Sequence, residues 1–287
     1  MTTLTTESNT LNRLSAFTDN PDGGNPAAVW IGDKLPQPKI MQQIATQVGY
    51  SETAFIAPRM GNKRHVRYFS PKAEVPFCGH ATIASGVALG EANGDNTYFL
   101  NTAVGEIPVT VRTENGVKTA SLISVSPQYE PALETLLSDA LNALGWSLEE
   151  LDFSIPPARA FAGNWHLVIA VKLKSRLDNL QYDFDKLKTL MLDDDLTTLQ
   201  LIWRENAEVI HSRNPFPVGG VIEDPATGAA AAALGGYLRE AKLVSAPSKF
   251  IIRQGEVMGR PSLLKLEIPT TGGIIVSGTA VQLVEAK

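Results

Sequence analysis

A duplicated segment is the feature that most constrains the fold of this chain. Residues 74–86, Glu-Val-Pro-Phe-Cys-Gly-His-Ala-Thr-Ile-Ala-Ser-Gly, align without a gap on residues 223–235, Glu-Asp-Pro-Ala-Thr-Gly-Ala-Ala-Ala-Ala-Ala-Leu-Gly. A second echo, Gly-Glu-Ile at 105–107 and Gly-Glu-Val at 255–257, follows at almost the same offset. Such a repeat predicts two halves built alike.

Each copy predicts a turn that opens into a helix rich in small residues. The first backbone N–H groups of such a helix have no acceptor within the helix, and the positive end of the helix dipole lies there. Two such ends facing each other would bind an anion. The alanine run at 229–233 itself indicates a central helix that fits closely inside a curved sheet.

Composition and the order of the predicted elements favour a two-domain α+β protein. The 287 residues are 44% hydrophobic and 19% charged, which is enough to build large cores. Strands and helices follow one another without a regular alternation of parallel βαβ units. We predict two pseudo-symmetric domains, each a curved mixed sheet or barrel around a central helix, at residues 1–118 and 119–277. A C-terminal strand at 278–287 is expected to return to the first domain.

Charge and hydropathy exclude several partners. A net charge of −5 with no run of Lys and Arg argues against nucleic acid, and no stretch reaches the roughly 18 apolar residues of a membrane span. Residues 1–12 lack a positive segment followed by an apolar one, so we expect a cytoplasmic protein.

We expect neither a metal nor a cofactor. Cys78 is the single cysteine of the chain, and its four histidines are not closely spaced. The Gly-rich turn at 20–26 lies between predicted strands, not before a helix, so it lacks the context of a dinucleotide or phosphate site.

Glu52 is a candidate acid/base. In the strand-like segment Ser-Glu-Thr-Ala-Phe-Ile at 51–56, alternation places Glu52 on the same face as Ala54 and Ile56. Burial of a carboxyl raises its pKa toward the range useful for proton transfer. The alternative is an exposed Glu at the end of a strand, or a cap to a neighbouring turn.

His80 and Asp224 are further candidates. His80 lies in the first turn of its predicted helix, where the dipole tends to keep an imidazole neutral and able to act as a base or a hydrogen-bond partner. Asp224 precedes Pro225, and the free N–H groups of Gly228 and Ala229 follow. The alternatives are a packed polar residue for His80 and a turn or cap residue for Asp224.

A set of motifs resembles the PhzF family of phenazine-biosynthesis-like proteins. The resemblance runs in order from Phe17 to Val284, nearly the whole chain, and the motifs are specific only when taken together. They are Asp-Asn-Pro at 19–21, Gly-Asn-Pro-Ala-Ala-Val at 24–29, Ser-Glu-Thr-Ala-Phe at 51–55, Arg-Tyr-Phe-Ser-Pro at 67–71, Val-Pro-Phe-Cys-Gly-His-Ala-Thr at 75–82, Glu-Asp-Pro-Ala-Thr-Gly at 223–228 and Ser-Gly-Thr-Ala-Val at 277–281.

The resemblance implies the diaminopimelate epimerase fold, with an active site between two similar domains and often a homodimer. It also implies cofactor-independent acid/base isomerisation, as in the member that isomerises trans-2,3-dihydro-3-hydroxyanthranilate. Carried over to this chain, Glu52 is the principal acid/base, and His80 and Asp224 assist binding and protonation. The backbone N–H groups at Gly79 and Gly228 would hold a substrate carboxylate, and Asn25 would line the same site.

Two departures limit what the resemblance implies. Family members often carry Ser where this chain has Ala229, so one hydrogen bond to substrate is missing and the substrate is expected to differ. Related epimerases use two cysteines, but Thr227 stands opposite Cys78 here. One alternative is an epimerase that uses Cys78 with a carboxylate, because a thiol at a helix N-terminus is readily ionised. The other is a binding protein of the same fold without turnover.

Overall fold

The computed structural model describes residues 10–283, so the predictions for residues 1–9 and 284–287 lie outside the described part. The strands are β1 Thr10–Ala16, β2 Asn25–Ile31, β3 Glu52–Met60, β4 Lys63–Phe69, β5 Glu74–Val75, β6 Thr97–Thr102, β7 Gly105–Glu114, β8 Val117–Ile123, β9 Gln128–Pro131, β10 Ala158–Phe161, β11 Trp165–Ala170, β12 Leu196–Arg204, β13 Val209–Pro215, β14 Glu223–Asp224, β15 Ser248–Gln254, β16 Ser262–Ile268 and β17 Ile275–Gln282. The helices are α1 Pro38–Val48, α2 Gly79–Asn93, α3 Glu134–Leu144, α4 Lys174–Asp178, α5 Phe184–Asp193 and α6 Gly228–Glu240.

The chain divides into two compact units. Unit 1 comprises Met1–Ile123 and Ser277–Lys287, and unit 2 comprises Ser124–Val276. The predicted boundary after residue 118 is therefore five residues too early, because β8 pairs with β7 and β17 in unit 1. Residues 119–123 of β8 therefore belong to unit 1. Alternating hydrophobicity identifies a strand but does not say which sheet the strand joins.

Unit 1 is a closed barrel. Going round it, each strand pairs with the next in the order β17, β1, β2, β3, β4, β6, β7, β8, and β8 pairs with β17 again. The β2–β3 and β4–β6 pairs are parallel, and the sheet is therefore mixed. The barrel closes without an edge strand, which would otherwise be open to unwanted pairing.

Helix α2 fills this barrel. Every residue from His80 to Gly90 is buried, and the helix contacts β1, β2, β3, β7 and β8. Small residues make this possible: a Cβ atom at Gly86 would lie 2.7 Å from Val109 Cγ1 and 2.8 Å from Ala120 Cβ. A helix buried on all sides lacks an amphipathic stripe. In the sequence, α2 was therefore predictable only from its small residues and from the duplicated segment in which it begins.

Unit 2 repeats the order of elements. Its strands pair in the order β9, β10, β11, β12, β13, β15, β16, again with two parallel pairs, β11–β12 and β13–β15. Helix α6 contacts β9, β10, β11, β12 and β16, so the sheet wraps around it as the barrel wraps around α2. The duplication seen in the sequence is thus a duplication of an α+β unit built on a mixed, curved sheet and a central helix.

Local signals in the sequence mark the ends of some helices. Helix α1 has Pro38 in its first turn and Gly49 as a left-handed C-cap. Ser147 and Glu150 form a capping box. Within residues 10–283, no helix combines the length and the apolar character needed to cross a membrane.

A buried polar chain crosses three strands of unit 2. His166 Nδ1 lies 2.8 Å from Thr198 Oγ1, and Asn214 donates to the same hydroxyl over 3.1 Å. The chain continues through Ser212 to Gln200. Complete burial lowers the pKa of His166 to about 3, so His166 is neutral throughout the physiological range.

We predict that Gly86→Ala destabilises the protein. The added methyl group must displace Val109 and Ala120, which costs about 1–3 kcal/mol, more than the about 1 kcal/mol that Ala gains over Gly in a helix. Chemical denaturation measures the effect, and Glu91→Ala, at an exposed position of the same helix, is the control and is expected to stay within about 0.5 kcal/mol of wild type. A Gly86→Ala protein as stable as wild type would contradict the close packing of α2.

We predict that His166 makes stability fall with acidification. The unfolded chain takes up a proton as the pH falls through about 6.5, whereas folded His166 does not do so until about 3. The free energy of unfolding therefore falls between these values, by at most about 1.4 kcal/mol per pH unit. Urea unfolding at several pH values should show a shallower slope for His166→Gln, with exposed His65→Gln as the matched control. An unchanged slope in His166→Gln would refute the assignment.

Candidate active site

The barrel of unit 1 brings two predicted catalytic residues into contact. Glu52 begins β3, and His80 is the second residue of α2. His80 Nε2 lies 3.3 Å from Glu52 Oε2, and the two side chains are 7% and 15% exposed. Of the alternatives for Glu52, an exposed strand end is therefore excluded. The alternation argument was insufficient, because residues 53–57 are all buried whichever face they occupy.

Local structure delivers both Glu52 and Asn25 to this end of the barrel. Helix α1 stops at Gly49, and β3 then runs parallel to β2 with Ala27 beside Glu52. Asn25 opens β2 after Gly24, whose φ is +69° and whose Cβ would lie 2.4 Å from the carbonyl oxygen of Ala16. The Gly-rich turn thus needs Gly24 for its backbone conformation and close packing, and it positions Asn25 at the start of β2.

A hydrogen-bonded chain fixes the first turn of α2. The Thr82 hydroxyl donates to the carbonyl oxygen of Cys78 over 2.6 Å, so the hydroxyl of Tyr68, 2.7 Å away, donates to Thr82. Burial raises the pKa of Tyr68, so its proton stays in place. The start of α2, with Cys78 as its N-cap, is therefore held against β4.

Hydrogen bonds set the tautomer of His80. Asn25 Nδ2 lies 3.2 Å from His80 Nδ1, and Ser51 Oγ lies 3.2 Å from His80 Nε2. An amide NH₂ can only donate, so Nδ1 accepts and the ring proton of neutral His80 sits on Nε2. That proton faces Glu52 and Ser51.

Opposing effects act on the Glu52 carboxyl. Burial raises the pKa of Glu52, and hydrogen bonds from the Ser51 and Cys78 side chains act in the opposite direction; burial prevails. These surroundings disfavour the charged form of the carboxyl. They also place hydrogen-bonding groups beside it that can exchange a proton with it.

Cys78 belongs to the same cluster. Its Sγ lies 3.4 Å from His80 Nδ1 and 3.8 Å from His80 Nε2. One ligand atom from each of Glu52, Cys78 and His80 lies within 4.8 Å of the others, so these three side chains could hold a metal ion. The expectation of no metal rested on the single cysteine and the spacing of the histidines, neither of which reveals a convergence of Glu52, Cys78 and His80 in space.

A paired Arg and Glu precede each central helix. Arg67 binds Glu74 across β4 and β5, and Arg213 binds Glu223 across β13 and β14, both through two guanidinium nitrogens. These pairs explain the Glu that the two repeats share. These pairs were not predicted, although Arg67 and Arg213 lie seven and ten residues before the shared Glu.

In unit 2, Asp224 lies in a buried network at the start of α6. Its carboxylate accepts from the hydroxyl of Thr227, the N-cap residue, over 2.6 Å. Gln254 donates to the carbonyl oxygen of Asp224 and to Thr227 Oγ1, over 2.7 and 3.0 Å, and accepts from the Thr227 N–H. Asp224 therefore holds the N-cap residue in place, and a catalytic part for it stays a prediction. Gln254 was not predicted.

The other predicted residues lie at the two helix starts. Gly79 is the first residue of α2, and Gly228 and Ala229 are the first two residues of α6. The structure thus gathers Glu52, His80 and Asn25 in unit 1, and places Asp224, Gly228 and Ala229 together in unit 2. Substrate binding by these residues stays a prediction.

An α+β barrel with a buried Glu–His pair at the start of its central helix defines a candidate acid/base enzyme. Comparison with known proteins specifies the class further. The family model PhzC-PhzF, described as phenazine biosynthesis-like protein, matches residues 14–286. The chain belongs to this family.

Similar proteins carry isomerase names. An uncharacterized isomerase, YfhB, of Bacillus subtilis (strain 168) is 31% identical over 280 residues, 94% of each chain. The trans-2,3-dihydro-3-hydroxyanthranilate isomerase of Pseudomonas fluorescens is 33% identical over 258 residues, 88% of this chain and 87% of that protein. A crystal structure of a PhzF-family phenazine biosynthesis protein of Bacillus anthracis superposes with a TM-score of 0.84 at 25% identity, over 96% of this chain and 97% of the other. The chain is an isomerase of this family, and the predicted resemblance is confirmed.

Proposed function

We propose that the protein is a cofactor-independent isomerase that moves a proton on a small cyclic or unsaturated carboxylic acid. One observation carries the proposal: the Glu52 carboxyl is shielded from water and in contact with His80, beside Ser51 and Cys78. The name of the Pseudomonas fluorescens relative supports the substrate class.

In this mechanism Glu52 carries the proton. Its carboxylate takes a proton from an activated carbon of the substrate and returns it to another carbon of the same molecule. Contact with the N–H of His80 Nε2 and the Ser51 hydroxyl stabilises the carboxylate before the first transfer and after the second. A positioned acid/base of this kind contributes about 10²–10⁴-fold in rate.

Helix starts supply the expected binding groups. The N–H of Gly79 lies in the first turn of α2, where the backbone lacks helical acceptors and the helix dipole favours an anion. Asp224 as an assisting acid/base, and Gly228 and Ala229 as binding groups, remain predictions for unit 2. Because Ala229 lacks the hydroxyl that family members often carry, we expect a substrate other than that of the phenazine enzymes.

We predict that Glu52→Gln lowers kcat by about 10²–10⁴-fold. The amide keeps the shape of the side chain but cannot accept a proton from carbon. Turnover of trans-2,3-dihydro-3-hydroxyanthranilate, followed by chromatography, is the first assay, and Glu91→Gln at the exposed C-terminal end of α2 is the control. If wild type does not turn this compound over, the same pair of variants is compared on other small carboxylates. A Glu52→Gln protein with wild-type kcat would contradict the proposal.

An epimerase that uses Cys78 is the second candidate, because Cys78 lies beside His80 at the start of α2. The two candidates differ in what Cys78→Ala does. We predict that the acid/base isomerase retains kcat within about tenfold when the thiol is removed, less than the loss of an essential acid/base group. Loss of activity in Cys78→Ala, together with inversion at a stereocentre by wild type, would favour the epimerase.

A further inference from the structure

We propose that Glu52, Cys78 and His80 bind one Zn²⁺ ion, or another divalent ion that favours thiolate, and that this ion reversibly blocks the isomerase. The blocking part rests on the proposed function. The binding part does not.

The three donors form a set that suits zinc. Cysteine sulfur, imidazole nitrogen and carboxylate oxygen are its usual protein ligands. In a tetrahedral site, bond lengths of about 2.0–2.3 Å place neighbouring donors about 3.3–3.7 Å apart. Glu52 Oε2 lies 3.3 Å from His80 Nε2, whereas Cys78 Sγ lies 3.8 Å from Nε2 and 3.4 Å from Nδ1. An ion on Nε2 therefore has Glu52 in place, and rotation of the Cys78 side chain toward Nε2 completes the site. Three protein ligands leave the fourth position for water or for Ser51.

The backbone already holds these donors together. Cys78 and His80 lie at the start of α2, which is fixed by Thr82 and Tyr68, and Glu52 opens a strand of the barrel wall. With the backbone fixed in this way, ion binding requires only that the Cys78 side chain rotate.

Asn25 lies beside the ring nitrogen of His80 that would not bind the ion. Metal-binding histidines are oriented by a partner at the other ring nitrogen, and His80 Nδ1 has the Asn25 amide at 3.2 Å. Binding at Nε2 moves the ring proton to Nδ1, and Asn25 then turns its amide to present the oxygen. The thiol of Cys78 releases one proton to solvent when it becomes a ligand.

Occupancy is incompatible with proton transfer. An ion bound to Glu52 occupies the oxygen lone pair that accepts the proton, and an ion bound to His80 Nε2 replaces the N–H that contacts the carboxylate. Removal of the ion by a chelator restores them, so the block is reversible.

Equilibrium dialysis of the full chain against Zn²⁺ tests the binding part, with no substrate present. We expect one ion per chain for wild type, an affinity lowered by more than about 100-fold in Cys78→Ala and by about 10–100-fold in Asn25→Ala. His211→Gln is the matched control and should leave binding unchanged: that histidine has Glu205 at 2.7 Å from Nε2 and Glu256 at 3.2 Å from Nδ1, so its carboxylates engage separate ring nitrogens. A Co²⁺-loaded sample should show a thiolate-to-metal charge-transfer band that Cys78→Ala lacks.

Failure to bind Zn²⁺, or equal binding by wild type and Cys78→Ala, would overturn the site. For the block, turnover should fall in proportion to occupancy and return with chelator, and full turnover by the loaded protein would overturn it. If no substrate is turned over, the proposed function fails while dialysis and the Co²⁺ spectrum still decide the metal site.

Discussion

The close fit of α2 inside its barrel is the constraint on which the site depends. Small residues let the helix lie against the inner wall of the sheet, and Gly86 has no room for a methyl group. Because the helix cannot shift without clashes, the position of its first turn is determined by the packing of its middle. Cys78 and His80 therefore meet the start of β3 in a definite geometry, and interiors of this density transmit such constraints over several turns.

The site also depends on the electrostatic surroundings of Glu52. A carboxyl with little contact with water is costly to ionise, and Ser51 and Cys78 offset part of that cost. Asn25 contributes through His80, because its amide selects the tautomer whose Nε2–H faces Glu52. The convergence of carboxylate, imidazole and thiol that suits proton transfer also suits a cation that favours thiolate. The side chains needed for catalysis are therefore the same ones that would bind an inhibiting ion.

Much of the fold was predictable because the sequence repeats itself. The shared turn and helix start indicated two like halves, and α1 was predictable from its apolar spacing, Pro38 and Gly49. The boundary between the units was not predictable. The sequence pattern of β8 would suit a strand of either unit, and only its pairing partners assign it to unit 1. Short strands such as β9 and β10 carry too few residues for a periodic pattern, and they were missed.

The site shows a similar division. Family motifs identified Glu52 and His80, whose contact the structure provides. The place of Cys78 in the same cluster, and the network of Gln254 with Thr227, depend on packing between segments distant in sequence. The structure explains the Glu shared by the two repeats, because each Glu pairs with an Arg on a neighbouring strand. Such a pair between two strands produces no periodic pattern in the sequence.

Solvent-deuterium labelling tests the central claim, that Glu52 carries the transferred proton, most directly. Proton NMR of the product formed in deuterated buffer would be recorded for wild type and Glu52→Gln with any carboxylic acid that wild type isomerises. Wild type is expected to place deuterium at the carbon that gains a proton, to the extent that protonated Glu52 exchanges with solvent before it returns the proton. Glu52→Gln is expected to lose both product and label. Equal rates of deuterium uptake by the two proteins would contradict it.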